Sequence, residues 1–354
     1  MNSLRQQDPI PDPYANTHIG LELETVVLFC VLGLLALFTD MWVHRRDSAV
    51  TFRSALGWSV FWVLVSMGFA VYLTLHFNTD VASLYLAGYI FELSLSVDNL
   101  FVIMAIFAWF KVPSHLQHRV LFWGVLGAIV FRLLFVVIGS GLFALGPWVE
   151  LIFAALVAGS GIMMLRKKDD DQDADFSNNL TYRAVRYLFP VFPRIVGHSF
   201  FLSQSQVEAE LSREENKGLD LKRTGAWFAT PLFLCLAVIE TSDILFAFDS
   251  VPAVIAVSRE PLIVYSAMMF AVLGLRSMYF VLDVMSKYLI HLEKAVIFLL
   301  FFIALKLCAS ASLHLFGFGF DIDIYTSLTV IAVILGVGIA ASFIFPGKKD
   351  EKDA

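Results

Sequence analysis

Nine long apolar runs, separated by short polar connections, dominate this chain of 354 residues and restrict it to very few folds. They fall at about 21–43, 54–76, 83–110, 119–143, 147–165, 229–257, 262–283, 293–314 and 324–345. A bilayer core takes roughly 20 apolar helical residues, and in hydrocarbon every backbone N–H and C=O needs an internal partner. Runs of this length without period-2 alternation therefore predict transmembrane α-helices. Composition agrees: 58% of residues are hydrophobic and 16% charged, where globular domains are closer to half and a quarter.

The Lys and Arg distribution orients the spans, because these residues concentrate in cytoplasmic loops. With the N-terminus outside, the inner loops hold twenty of the 25 bases, among them Arg45, Arg46, Arg53, Lys111, Arg119, Lys287, Lys294, Lys348 and Lys349. Only Arg5 and Arg259 lie outside, and Arg132, Arg276 and Lys306 fall within spans. The expected fold is all-α, with about nine transmembrane helices, N-out and C-in. The first twenty residues are polar and Pro-rich, unlike a cleaved signal, so the first span is expected to be retained. Cys30, Cys235 and Cys308 all lie in spans and read as small apolar residues, with no disulfide framework or thiolate site implied.

Two acidic segments interrupt this pattern. One is Phe91-Glu92-Leu93-Ser94-Leu95-Ser96-Val97-Asp98-Asn99, the other Ile239-Glu240-Thr241-Ser242-Asp243-Ile244-Leu245-Phe246-Ala247-Phe248-Asp249-Ser250. Placing Asp98 on Asp249 puts Glu92 on Asp243 and Asn99 on Ser250. A carboxylate inside hydrocarbon costs several kcal/mol even on lenient scales, so a matched set of five is read as a functional site. The match extends outward: Val125-Leu126-Gly127 recurs as Val272-Leu273-Gly274, each followed by an Arg (Arg132, Arg276). The acidic helices are the third and sixth spans, so they cross in opposite directions. Spans 3–5 and 6–8 then form a 3+3 inverted-topology repeat, an arrangement in which transporters place polar sites near the midplane.

The boundaries that follow are a tail over 1–20, two peripheral spans over 21–76, a first three-helix repeat over 83–165, and a cytoplasmic loop over 166–228. A second repeat over 229–314, a last span over 324–345 and a tail over 346–354 complete the chain. The loop has little periodicity and reads as a linker or as a surface for a membrane-protein partner. Lys306 is read as a snorkelling residue, Glu150 as interfacial, and His115 and His118 as loop-surface residues.

Six residues turn a helix by about 600°, so Glu92 and Asp98 lie some 120° apart, as do Asp243 and Asp249. For such a pair to reach one ion the helix must unwind locally; otherwise the two acids serve successive sites. Ser94, Ser96 and Pro252 are compatible with such unwinding, and Pro252 cannot bond the Phe248 carbonyl. The candidate metal ligands are Glu92, Asp98, Asn99, Glu240, Asp243 and Asp249. Ser250, Thr241 and Ser242 are candidate helpers, and Arg132 and Arg276 candidate counter-charges or gating residues. All the ligands are oxygens, which suits Mg²⁺, Ca²⁺ or Mn²⁺ over Zn²⁺ or Cu, and chemistry alone does not choose among the first three. The competing structural reading has the carboxyls protonated, or paired with Arg132, Arg276 and Lys306. No phosphate-binding loop, catalytic triad or His-E-x-x-His is present. No enzymatic activity, tightly bound cofactor or nucleic-acid partner is expected.

These residues carry a resemblance. Phe91–Val102, Val112-Pro113, Gly124–Ala128, Ala229-Thr230-Pro231-Leu232, Glu240–Ile244, Phe248–Ala253 and Gly274–Phe280 resemble the TerC family of integral membrane proteins, including its Alx-type members. Thr241 and Ser96 are small departures, where Leu and Ala are common. The resemblance covers roughly 54–310. It implies a multi-pass protein of the bacterial inner membrane that exports Mn²⁺ or supplies it to extracytoplasmic proteins, with wider kinship to LysE-type transporters. The expected function is a secondary exporter of divalent cations, chiefly Mn²⁺, with Mg²⁺ or Ca²⁺ as competitors. The alternative is a non-transporting scaffold that metallates or assembles membrane partners, and a channel is a third possibility.

Overall fold

A computed structural model describes residues 23–43, 51–166, 180–213, 225–285 and 292–344. The side chains of Asp98 and Asp249 lie outside the described residues, although the backbone of each is helical.

The apolar runs become long helices: α1 (Leu23–Val43), α2 (Phe52–His76), α3 (Thr79–Trp109), α4 (Ser114–Phe143) and α5 (Pro147–Arg166). A short excursion follows, made of α6 (Leu180–Leu188), β1 (Phe201–Ser203), α7 (Gln204–Leu211) and β2 (Trp227–Ala229). The chain then resumes with α8 (Pro231–Val257), α9 (Pro261–Met285), α10 (Leu292–Phe316) and α11 (Ile324–Ile344). Eight of these helices, α2–α5 and α8–α11, are long and apolar enough to cross a membrane. The first expected span, 21–43, coincides with α1, a helix of 21 residues whose stretch Leu23–Ala36 is apolar among the described residues. At 1.5 Å per residue the 31 residues of α3 extend about 46 Å, well beyond a bilayer core of about 30 Å.

Local chemistry sets the helix ends. Asn78 caps α3 by accepting the Val81 amide at 2.8 Å, and Pro231 opens α8 at a position where no N–H is needed. The α3–α4 connection is a Schellman turn: the Val112 amide reaches Phe107 O at 3.0 Å and the Lys111 amide reaches Ala108 O at 3.1 Å. Its left-handed position is filled by Lys111, at φ 51°, instead of the usual glycine.

The helices α3, α4, α8 and α9 make the centre. Helix α3 packs along α9 and α8, and α4 along α8 and α9. Helix α5 lies on α10, α2 on α9 and α3, and α11 on α3 and α10. One apolar core joins α3, α4, α5, α8, α9 and α10 around Phe91, Val136, Val254, Val272 and Leu300. A second, aromatic core fixes α1 and α2 to the flank of α3 and α9 through Phe29, Phe69, Tyr85 and Phe270. Leu134, Val137, Ile138 and Ile152 face outward, as lipid-exposed residues do.

Three expectations are corrected here. Helices α3 and α8 run unbroken through both acidic segments, and Pro252 sits inside α8 without ending it. Lys306 does not snorkel: it is buried and donates to Ser327 Oγ of α11 at 3.0 Å. The 166–228 stretch holds a small packed cap, in which β1 and β2 pair antiparallel and Phe192, Leu202, Val207 and Phe228 are buried together. Its sequence shows little periodicity because each element is only three to nine residues long.

Candidate ion site

The site is built where α3, α4 and α8 meet. Glu92 of α3 is fully buried, and Arg132 of α4 is 1% exposed. The two form an ion pair, and Ser96, one turn on from Glu92, donates to Glu92 Oε1 at 3.5 Å. The same Arg132 donates from Nη2 to Asp243 Oδ1 of α8 at 3.2 Å. Glu92 and Asp243, the residues that align when the two acidic segments are superposed, are thus joined through one guanidinium.

Glu240, one turn before Asp243, is placed by a glycine. Its carboxylate lies against the α-carbon of Gly127 on α4, where a β-carbon would overlap both carboxylate oxygens. Small residues let helices approach this closely in a membrane. Among the described residues, Glu92 Oε2, Glu240 Oε2 and Asp243 Oδ2 are all buried and have no hydrogen-bond partner. If ionised, three carboxylates and one arginine leave two uncompensated negative charges in a low-dielectric interior, which is strongly unfavourable. Protons or a bound cation would relieve this excess negative charge.

Asn99 and Ser250 are buried and line a cavity of about 620 Å³ between α3, α5 and α8. Leu95 and Leu245 also line it, and it extends along the second half of α5 past Ser160 to Arg166. Ser250 Oγ is buried with no partner among the described residues. Asp98 and Asp249 directly precede Asn99 and Ser250 in sequence, and their side chains are outside the described residues. Among the described residues, no three His, Cys, Asp or Glu side chains converge closely enough to hold a metal ion. Arg132 occupies the space between Glu92 and Asp243, so a cation bound by both has to displace it.

The expected helpers divide. Thr241 Oγ1 donates to Ala237 O at 2.9 Å and Ser242 Oγ to Val238 O at 2.9 Å, each satisfying itself on its own helix. Thr241 also accepts from Thr181 Oγ1 of α6 at 3.0 Å, which ties the cap to the residue next to Glu240. Arg276 is buried on α9, where its Nη2 lies 3.4 Å from Nδ1 of His118. His118 is therefore a buried residue of α4 and not a surface one. Glu150 is likewise buried, at 4% exposure, and pairs with Arg259 at 3.1 Å. Gly127 was legible only as a marker of the repeat, and its spacing gives no hint that it seats Glu240. Cys30, Cys235 and Cys308 are free thiols, with Cys235 buried and the other two exposed on the helix surface.

Fold and site define a polytopic α-helical membrane protein with ion-paired carboxylates buried among its central helices. The chain belongs to the Integral membrane protein TerC family, whose family model matches residues 77–350. It is 54% identical over 341 residues to the Tellurium resistance protein TerC of Serratia marcescens, a match spanning 96% of this chain and 99% of that protein. It is 33% identical over 316 residues to the Uncharacterized membrane protein STKORF319 of Myxococcus xanthus, spanning 89% of each. A membrane-bound protein of Photorhabdus laumondii named Alx is 33% identical over 289 residues, spanning 79% of this chain and 84% of that one. No solved structure matches the chain.

Proposed function

We propose that this protein exports divalent metal cations, Mn²⁺ foremost, by exchanging each ion for two protons at the Glu92–Glu240–Asp243 cluster. The observation that carries the reading is the buried triad itself: one arginine shared by carboxylates from both acidic segments, with three carboxylate oxygens left unpartnered. Arg132 acts as a tethered counter-ion in the unloaded state. A cation arriving through the cavity by Asn99 and Ser250, close in sequence to Asp98 and Asp249, displaces the guanidinium. It then takes the oxygens of Glu92, Asp243 and Glu240. With Arg132 moved aside but still beside the cluster, one divalent ion balances the remaining two negative charges, and two protons balance them in its absence, which is the basis of the two-proton exchange.

The helix pairings support the inverted repeat. Exchanging α3, α4 and α5 with α8, α9 and α10 leaves the α3–α9, α4–α8, α3–α8, α4–α9 and α5–α10 contacts unchanged as a set. The loop charges support the N-out, C-in orientation, and outward movement rests on the resemblance to the TerC family. Oxygen ligands favour hard cations, and the preference for Mn²⁺ over Mg²⁺ and Ca²⁺ rests on the resemblance to the TerC family. Tellurium resistance, named for the Serratia relative, does not point to the cargo, because carboxylates repel an oxyanion. The test is equilibrium Mn²⁺ binding by the purified protein. Wild type is expected to bind it, and Glu92→Gln and Asp243→Asn to lose most of the affinity while remaining folded. Wild-type affinity in both variants refutes the site. Binding without flux in liposomes would favour a metallating scaffold.

A further inference from the structure

A second buried carboxylate lies at the opposite end of α5 from Arg166, where the cavity leads. Glu150, in the first turn of α5, is held by Arg259 of the α8–α9 connection, whose Nη2 lies 3.1 Å from Glu150 Oε1. The same nitrogen donates to Ser310 Oγ of α10 at 3.2 Å. The guanidinium carbon sits 5.3 Å from the ring centroid of Phe143, the last residue of α4. One arginine therefore ties together the ends of four helices at this end of the bundle. Glu150 Oε2 is buried and has no hydrogen-bond partner among the described residues, and neither does the buried hydroxyl of Ser258, the neighbour of Arg259. An unpartnered carboxylate oxygen in a buried site keeps an open demand for a proton or a cation.

The arrangement repeats the chemistry of the central cluster: a buried acid, a guanidinium on one oxygen, the other oxygen vacant, and hydroxyls beside it. We propose that Glu150, with the Ser310 hydroxyl, is a second station for a divalent cation, occupied in this state by the Arg259 guanidinium. Resting on the transport reading above, it is the last station before release: the ion leaving the central cluster displaces Arg259, and the same displacement unties α4, α5, α8 and α10. Arg259 is then both plug and latch. Its 29% exposure gives it somewhere to go, while the buried Glu150 stays behind.

The experiment counts Mn²⁺ bound per chain in the detergent-solubilised full-length protein, using the electron paramagnetic resonance signal of free Mn²⁺. Arg259→Gln uncovers Glu150 and is expected to bind one more ion per chain than wild type. The double variant Arg259→Gln/Glu150→Gln is expected to lose that additional ion. Equal counts in the single and double variants overturn the proposal. Both variants leave Glu92, Arg132 and Asp243 intact, so the difference between them does not depend on the central cluster. A missing central ion in every chain refutes the transport reading and leaves this comparison valid. If Arg259→Gln does not fold, Arg259→Lys replaces it. Its shorter ammonium holds Glu150 less well, and it is expected to take the additional ion at about tenfold lower affinity than a neutral side chain would allow. An Arg259→Lys protein that binds no more Mn²⁺ than wild type also overturns the proposal.

Discussion

Replacing Arg132 by Gln separates a tethered counter-ion from a purely structural one. The side chain is 1% exposed and serves both Glu92 and Asp243, so its loss leaves buried acids without their cation. Removing one partner of a buried ion pair costs about 3–5 kcal/mol. A cation that enters the vacated space restores part of this. At a concentration 100 times its dissociation constant, it adds about 2.7 kcal/mol to the folded state. The variant is therefore expected to be less stable than wild type by about 3–5 kcal/mol in chelator, and Mn²⁺ narrows that gap by up to about 2.7 kcal/mol less whatever wild type itself gains. Wild type gains less from Mn²⁺, because the ion has to expel the guanidinium first. The assay is denaturation in detergent followed by tryptophan fluorescence, with chelator and with Mn²⁺. A gap that is the same in both conditions refutes the reasoning and leaves Arg132 as a structural counter-charge.

Gly127→Ala puts a methyl group where the Glu240 carboxylate lies, and overpacking of this kind costs about 1–3 kcal/mol. Mn²⁺ titration should show weakened binding that Glu240→Asp, one methylene shorter, partly rescues. If Glu92 and Asp243 serve one ion, either Glu92→Gln or Asp243→Asn removes most of the binding and the double variant adds little, whereas additive losses would indicate two separate ions. At the start of α11, hydrogen bonds from the Thr326 hydroxyl and amide hold the exposed Asp323 carboxyl below the usual carboxylate range. A lowered folded value stabilises above the unfolded value of about 3.9 and is lost as pH falls through the folded one. Asp323→Ala should cost about 0.5 kcal/mol at neutral pH, and urea titrations should show that difference shrinking below about pH 4.

Most of the fold was legible because hydrocarbon leaves the chain few choices. Each apolar run of roughly twenty residues had to become a helix, and the predicted and observed spans differ mainly at their ends. The acidic segments were legible for the same reason, since charge in such a run is expensive. What could not be read was which acid meets which base. Arg132 lies forty residues from Glu92 and over a hundred from Asp243, and the packing of both α3 and α4 against α8 brings them together. Glu150 looked interfacial because it begins a span. It is buried and paired with Arg259, on a connection distant in sequence. Pro252 looked like a break, yet a helix packed on several sides tolerates the loss of one hydrogen bond. The cap was missed because its elements are too short to show a period.

Coupled flux tests the central claim most directly. Purified protein in liposomes, with Mn²⁺ on one side and a pH gradient opposed to it, is monitored with a metal-sensitive dye and a pH-sensitive dye together. The account predicts Mn²⁺ movement with two protons moving the other way for each ion, abolished by Glu92→Gln and by Asp243→Asn. Folded wild-type protein that carries no Mn²⁺ above the leak of empty liposomes contradicts it, as does flux that persists unchanged in both variants.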